Sequence, residues 1–207
     1  MIISSIEVER WNKYYRDEHG IACSFEGLEI PAEAKYPTRL IVMHSDVSNR
    51  PQRIANAYRK RCGDKWCQYD DLDIAMSKHD RFGTYAVRVA DVPEAPDGYD
   101  EKAQENLSSQ DVWARAWVTT TLPERLVDGD ICLWEHRIFL DRGGGSTLCP
   151  GSRDSSGCVP GVRLSEKGVV RVECWPPYAS GCNIRFRRVI VRHAPLVLLP
   201  SRSHFKN

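Results

Sequence analysis

The chain has 207 residues, 42% of them hydrophobic, with 29 Lys and Arg against 28 Asp and Glu and a net charge of +1. That length suits one domain with a sizeable core, and six Trp, eight Tyr and five Phe supply large apolar anchors for it. No apolar run nears the roughly 18 residues of a membrane span, so a membrane protein, a secreted miniprotein and a disordered tail are all excluded as expectations.

The opening stretch MIISSIEVER has no basic flank, apolar segment or small-residue cleavage site. It predicts a chain without a secretory signal, expected in a cytoplasm. The small net charge hides an asymmetry. Residues 151–207 hold 10 Lys and Arg against 3 Asp and Glu, a net of +7, which leaves 19 against 25 in residues 1–150, a net of −6. The basic quarter either meets a nucleic acid or acidic partner, or pairs internally with the acidic part; internal pairing is the expectation. The eight cysteines (Cys23, Cys62, Cys67, Cys132, Cys149, Cys158, Cys174 and Cys182) include no CxxC pair. They are expected as reduced thiols, with no metal and no cofactor.

In chain order, Ser4 with Glu7 three residues on predicts a capped helix with Val8, Trp11 and Tyr15 on one face, ended by Gly20. Residues 39–43 read RLIVM, a strand, and Asn49–Arg61 is a second helix with Pro51 in its first turn and Gly63 as its stop. Lys65–Tyr69 and Gly83–Ala90 follow as strands, the latter with Tyr85, Val87 and Val89 on one side. Residues 91–110 read as a long polar connection. A third helix starts at Thr121, where TLPE gives cap, proline and glutamate in capping-box order, and is predicted to reach Phe139. From Arg142 to Gly161 the chain is rich in glycine and turn formers, and short strands follow at Val159–Leu164, Gly168–Trp175 and Ile184–Val191. The prediction is a single α+β domain: a helical scaffold over residues 1–141 and a binding part over 142–193.

The stretch Val169–Trp175 alternates with period two. Val170, Val172 and Cys174 are predicted to face the core, and Arg171, Glu173 and Trp175 the open side. Gly161 and Arg163 continue that open face on the preceding strand. A cation, an anion and an indole on one exposed strand surface have the composition of a recognition patch.

Two segments resemble a known family. Pro150-Gly-Ser-Arg153 and Pro177-Tyr-Ala-Ser-Gly-Cys-Asn-Ile-Arg-Phe-Arg187 resemble the end of a formylglycine-generating-enzyme-type C-type-lectin domain. That family closes on a GGSW-like turn, a variable stretch, a Pro and a strand reading NIGFR. Arg153 stands here for the aromatic of the turn, and Arg185 for the glycine of the strand. Within that family, Tyr69–Asp73, Gly83–Arg88, Glu105–Ser108, Leu122–Leu126 and Thr147–Arg153 are similar to variable proteins of diversity-generating retroelements. In such systems an error-prone reverse transcriptase rewrites the codons of a lectin-like binding surface. The resemblance implies a C-type-lectin-like α+β fold, with helices in the N-terminal two thirds and short antiparallel strands at the C-terminus. It implies a non-enzymatic, ligand-binding module, expected as a monomer in a cytoplasm or on a phage particle, that recognises a protein or other macromolecule. Carried over residue by residue, its surface comprises Asp154, Ser156, Cys158, Gly161, Arg163, Arg171, Glu173, Trp175, Tyr178, Ala179 and Asn183. Trp175 and Tyr178 are the expected anchors.

Other chemistry is weaker. The family's enzyme uses a cysteine pair directly after its turn, whereas Asp154-Ser-Ser-Gly157 stands there and Cys158 comes later without a partner in sequence. His44-Ser-Asp46 has the residue types of a non-haem iron site, with His136 or His193 as a distal ligand. Its stronger reading is a cap on the following helix. His19, His79 and His204 carry no pattern and are expected at the surface. Ser152 and Ser155 lack the G-x-S-x-G context of a hydrolase, and Gly143–Ser146 lacks the GK[ST] ending of a phosphate loop. The alternative from another class is a nucleic-acid binder using Arg185, Arg187, Arg188 and Arg192, although strand alternation splits these four between two faces.

Overall fold

Ser4 does cap the first helix: its hydroxyl accepts from the Glu7 backbone N–H, and the chain leaves α1 (Ser5–His19) through Gly20 at φ 64°. In the computed structural model, residues 1–34, 37–68, 71–75, 78–90, 107–140, 145–181 and 183–191 are described. Residues 91–106 of the predicted 91–110 connection, Cys182, Arg192, His193 and His204 lie outside them. In chain order the described elements after α1 are β1 (Thr38–Met43), α2 (Ser45–Ser48), α3 (Pro51–Cys62), β2 (Trp66–Gln68), α4 (Leu72–Ala75), β3 (Lys78–His79), β4 (Tyr85–Ala90), α5 (Ser109–Ala114), α6 (Leu122–His136), β5 (Ser146–Leu148), β6 (Ser152–Arg153), β7 (Val159–Leu164), β8 (Val170–Trp175), β9 (Ile184–Phe186) and β10 (Val189–Ile190).

The class is mixed α+β, as predicted, but the distribution differs. Strands occur throughout, with four in the first 90 residues. They form a three-stranded antiparallel sheet in the order β1-β4-β10, a five-stranded sheet in the order β2-β8-β7-β5-β9, and the pair β3-β6. The five-stranded sheet is not purely antiparallel: β2 runs parallel to β8, and β9 parallel to β5. Two strands, β5 and β6, lie inside the Gly-rich stretch read as turn, and the single strand predicted for Ile184–Val191 divides into β9 and β10 in different sheets.

Helix α6 lies at the centre. Thr121 and Glu124 form the predicted capping box, and Leu122 to Ile131 is buried on every side. The helix ends at His136, short of Phe139, because Arg137 turns left-handed at φ 57°. Gly129 sits where α6 meets α3: a Cβ there would lie 2.9 Å from the Tyr58 hydroxyl and 2.8 Å from Arg125 Nη1. The main core joins α1, α3, α6 and the three-stranded sheet to the inner face of the five-stranded sheet, through Val162, Val170 and Val172. A second, smaller core of Leu107, Val112, Leu148, Val159, Ile184 and Phe186 covers part of the sheet's other face.

Burying α6 buries its charges, and each acidic one is met by an arginine. Glu124, with no exposed area, accepts from Arg81 Nε and Nη2, both at 2.7 Å, from the Tyr85 hydroxyl at 3.0 Å and from the Thr121 N–H at 2.8 Å. Asp128 takes a two-pronged bond from Arg39 at 2.8 and 2.7 Å. Asp130 accepts from Arg61 and from the Tyr14 hydroxyl at 2.8 Å. Tyr14 in turn lies 3.2 Å from His19 Nε2. His19 is therefore buried rather than at the surface, and burial, with Arg53 and Arg61 nearby, pushes its imidazole down to about 4. His44 is a cap, as expected: its Nδ1 accepts from the Asp46 N–H at 3.1 Å.

Removing one partner from such a buried pair leaves an uncompensated charge. Glu124→Ala is expected to lower the unfolding free energy by about 3–5 kcal/mol in urea titrations, whereas the apolar pair Arg81→Met with Glu124→Leu recovers most of that loss. Equal destabilisation in the single and double variants would contradict this.

Candidate ligand-binding face

Residues directly opposite one another in neighbouring strands share a face of the sheet. The ladders pair Gly161 with Glu173 and Leu148, and Arg163 with Arg171 and Ser146. Arg171, Glu173 and Trp175 of β8 therefore share one face with Gly161 and Arg163 of β7, while Val170 and Val172, 3% and 5% exposed, point to the main core. That part of the alternation holds. The outward face, however, has two unlike ends.

The charged end is open. Arg163 Nη2 donates to Glu173 Oε1 at 2.9 Å, and Arg171 Nη1 lies 3.9 Å from the same oxygen. The two arginine side chains are about one-third exposed (34% and 36%), Glu173 less so. Their Nε–H groups are themselves buried and find no acceptor among the described residues. Two guanidinium groups thus share one carboxylate, which leaves a net positive charge on a backbone fixed by hydrogen-bonded strands.

The other end is covered. Trp175 and Ala179 pack against the second core together with Trp113 and Trp117. Gly161 is buried, and a Cβ there would meet Leu148 Cδ2 at 2.7 Å, Ser146 Oγ at 2.8 Å and Trp175 Nε1 at 3.0 Å. Two residues expected on the open face are thus corrected: Gly161 is a seat for the indole, and Trp175 is half-buried over it. Tyr178 is 70% exposed at the tip of the following loop. That loop is pinned to the start of α5, whose Gln110 N–H donates to the Pro177 carbonyl. Asn183 is exposed, and its carbonyl accepts from the Ser146 N–H.

Asp154, Ser156 and Cys158 do not join this face. They form a turn before β7 that gathers around Cys174, whose register puts it opposite in direction to Glu173 and Trp175. Asp154 Oδ1 accepts from the Ser156 hydroxyl and N–H and from the Cys158 N–H, at 2.7–2.8 Å, while Oδ2 lies 3.9 Å from Cys174 Sγ. Cys174 is exposed, not in the core, and Cys158 does have a partner in space. Burial of the sulfur, then the Asp154 carboxylate and the Cys158 thiol, push the Cys174 thiol up to about 12. Burial acts on Asp154 in the same direction, but the hydrogen bonds from Ser156, Cys158 and Gly157 outweigh it and hold its carboxyl below the usual range.

The Pro150–Arg153 turn is structural. Ser152 Oγ is buried, accepts from the Leu122 N–H at 2.8 Å and lies 2.6 Å from His79 Nδ1, which ties the turn to the start of α6. Arg153 stacks 4.8 Å over the Trp113 ring and pairs with Asp80 at 2.7 Å. The described C-terminal arginines do not form one basic groove. Arg187 is buried and donates to the Ala90 carbonyl, Arg188 lies over Trp117, and Arg185 is exposed.

Comparison of the chain with protein-family models, with curated proteins and with solved structures finds no match. Among the described residues no helix is long and apolar enough to cross a membrane.

A methyl group at 161 has no room without moving Leu148, Ser146 and the indole. Gly161→Ala is expected to cost about 1–3 kcal/mol of unfolding free energy, the range for overpacking a filled site, and to raise Trp175 exposure in fluorescence quenching. A neutral Gly161→Ala would mean that the indole is not seated there.

Proposed function

We propose that the chain is a ligand-binding module that holds its partner on the charged end of the β7–β8 face, through Arg163, Arg171 and Glu173, with Tyr178 as the exposed aromatic contact. The observation that carries this reading is the arginine pair sharing a single carboxylate. A ligand carboxylate placed against the part-exposed guanidinium groups of Arg163 and Arg171 would complete the charge balance. Lysine would not serve as well, because the planar guanidinium offers its donors in a fixed fork.

The C-type-lectin-like type, and within it the variable protein of a diversity-generating retroelement, is the reading we propose for the chain as a whole. What supports it is the separation of duties between scaffold and face. Arg163, Arg171, Glu173, Tyr178 and Asn183 reach solvent at least partly, and changing their side chains removes no member of the main core. The ligand on this reading is a protein or another macromolecule, and no bond-making chemistry is assigned to the chain. A nucleic acid fits the face less well: Glu173 sits between the two arginines, and the arginines of the last strands are dispersed.

Panning a displayed random-peptide library on the immobilised chain tests this directly. The recovered peptides are expected to be rich in Asp and Glu. Arg163→Ala and Arg171→Ala should each weaken the best peptide by about tenfold or more, as expected for a charge-assisted contact of 1.5–3 kcal/mol, with the urea midpoint unchanged. Tyr178→Ala should weaken it similarly. Recovery of peptides without acidic residues, or equal binding by the arginine variants, would refute the reading.

A further inference from the structure

We infer that Asp154, Cys158 and Cys174 form a binding site for a borderline divalent cation of the Zn²⁺ type. The inference is independent of the peptide-binding face, because these three residues lie on the opposite side of the β7–β8 hairpin from Glu173.

One ligand atom from each residue, two thiol sulfurs and a carboxylate oxygen, lies within 4.8 Å of the other two. Sulfur paired with a carboxylate is the donor mixture that zinc takes and that calcium or magnesium does not. Zn–S bonds of about 2.3 Å and Zn–O bonds of about 2.0 Å put tetrahedral S···O edges at roughly 3.5 Å. The separation between Asp154 Oδ2 and Cys174 Sγ is 3.9 Å, so ligation requires the donors to close by only a few tenths of an ångström along that edge.

The carboxylate is also preset. Hydrogen bonds from the Ser156 hydroxyl and from the Ser156 and Cys158 backbone engage Oδ1 and turn Oδ2 toward the sulfur. An outer contact of this kind orients a ligand before the metal arrives. Cys158 precedes β7 and Cys174 sits near the end of β8, so bridging them would fasten the 154–158 turn to the hairpin. Three protein ligands leave a fourth position for water or for a donor of a bound partner, the open arrangement rather than the closed four-ligand one.

The spacing conceals this set in the sequence. Cys158 and Cys174 are separated by a whole hairpin, whose Ser165–Gly168 turn folds them together. No short ligand motif results.

The test is a Co²⁺ titration of the full-length chain, kept reduced with a phosphine, followed by displacement with Zn²⁺. One equivalent should bind with thiolate-to-cobalt charge-transfer absorption and the visible bands of a tetrahedral ion, and Zn²⁺ should abolish both. Cys158→Ser and Cys174→Ser should each weaken Co²⁺ binding by more than about a hundredfold, since loss of even an outer-shell partner costs 10–100-fold. Asp154→Asn should weaken it by about tenfold or more, and Cys67→Ser should leave it unchanged. Circular dichroism checks that each variant is folded. Absence of the thiolate band, or its survival in folded Cys174→Ser, would overturn the inference. So would a reduced chain that takes up no cobalt yet closes a Cys158–Cys174 disulfide in air, seen by mass spectrometry.

Discussion

Helix α6 cannot be buried unless its carboxylates are matched, and that requirement organises the molecule. Glu124, Asp128 and Asp130 are fully enclosed, and an isolated carboxylate in such surroundings would be forced to take up a proton or expel the helix. Each is held by an arginine from a different part of the chain: Arg81 just before β4, Arg39 on β1 and Arg61 on α3. Three ion pairs therefore fix the helix relative to three other elements, with a directionality that hydrophobic contact alone lacks. The Ser152 hydroxyl on the Leu122 N–H extends the same scaffold to the Pro150–Arg153 turn and so to the sheet that carries the candidate face.

This arrangement also accounts for the charge asymmetry only in part. Arg153 pairs with Asp80, and Arg187 lies close enough to help hold the Asp128 carboxyl down, which is the internal pairing expected. The three main α6 pairs, however, use arginines of the first half of the chain. Arg163 and Arg171 are left with Glu173 as the carboxylate between them, and their side chains stay about one-third exposed. On the function proposed, rigid support beneath the face would keep the ordering cost of binding small.

Much of the local structure was legible because caps and breakers act over a few residues. Ser4 with Glu7, Pro51, Thr121 with Glu124 and Gly20 all do what their types predict. The period-two reading of β8 gives the right direction along the strand, with Val170 and Val172 in the core, but not the exposure of Cys174 or the partial covering of Trp175. Helix α5 begins within the last residues of the stretch read as a polar connection, although Ser108 and Asp111 spell its capping box. The strands β5 and β6 were hidden by glycine-rich composition, since pairing from neighbouring strands overrode weak local preference. The buried charges of α6 were not legible at all. Charged residues default to the surface, and only the three-dimensional arrival of Arg81, Arg39 and Arg61 makes their burial tolerable. For the same reason the eleven residues assigned to one surface separate into an open face, a covered indole and a cysteine-carboxylate cluster.

On the function proposed, a fixed, ion-paired scaffold presents a face whose side chains are free to change, and sequencing this gene across its source population measures that directly. Substitutions are expected to concentrate at 163, 171, 173 and 178, with Gly161, Val162, Val170 and Val172 unchanged and the pairs of Glu124, Asp128 and Asp130 intact. A uniform segment, or variation spread evenly over buried and exposed positions, would contradict it.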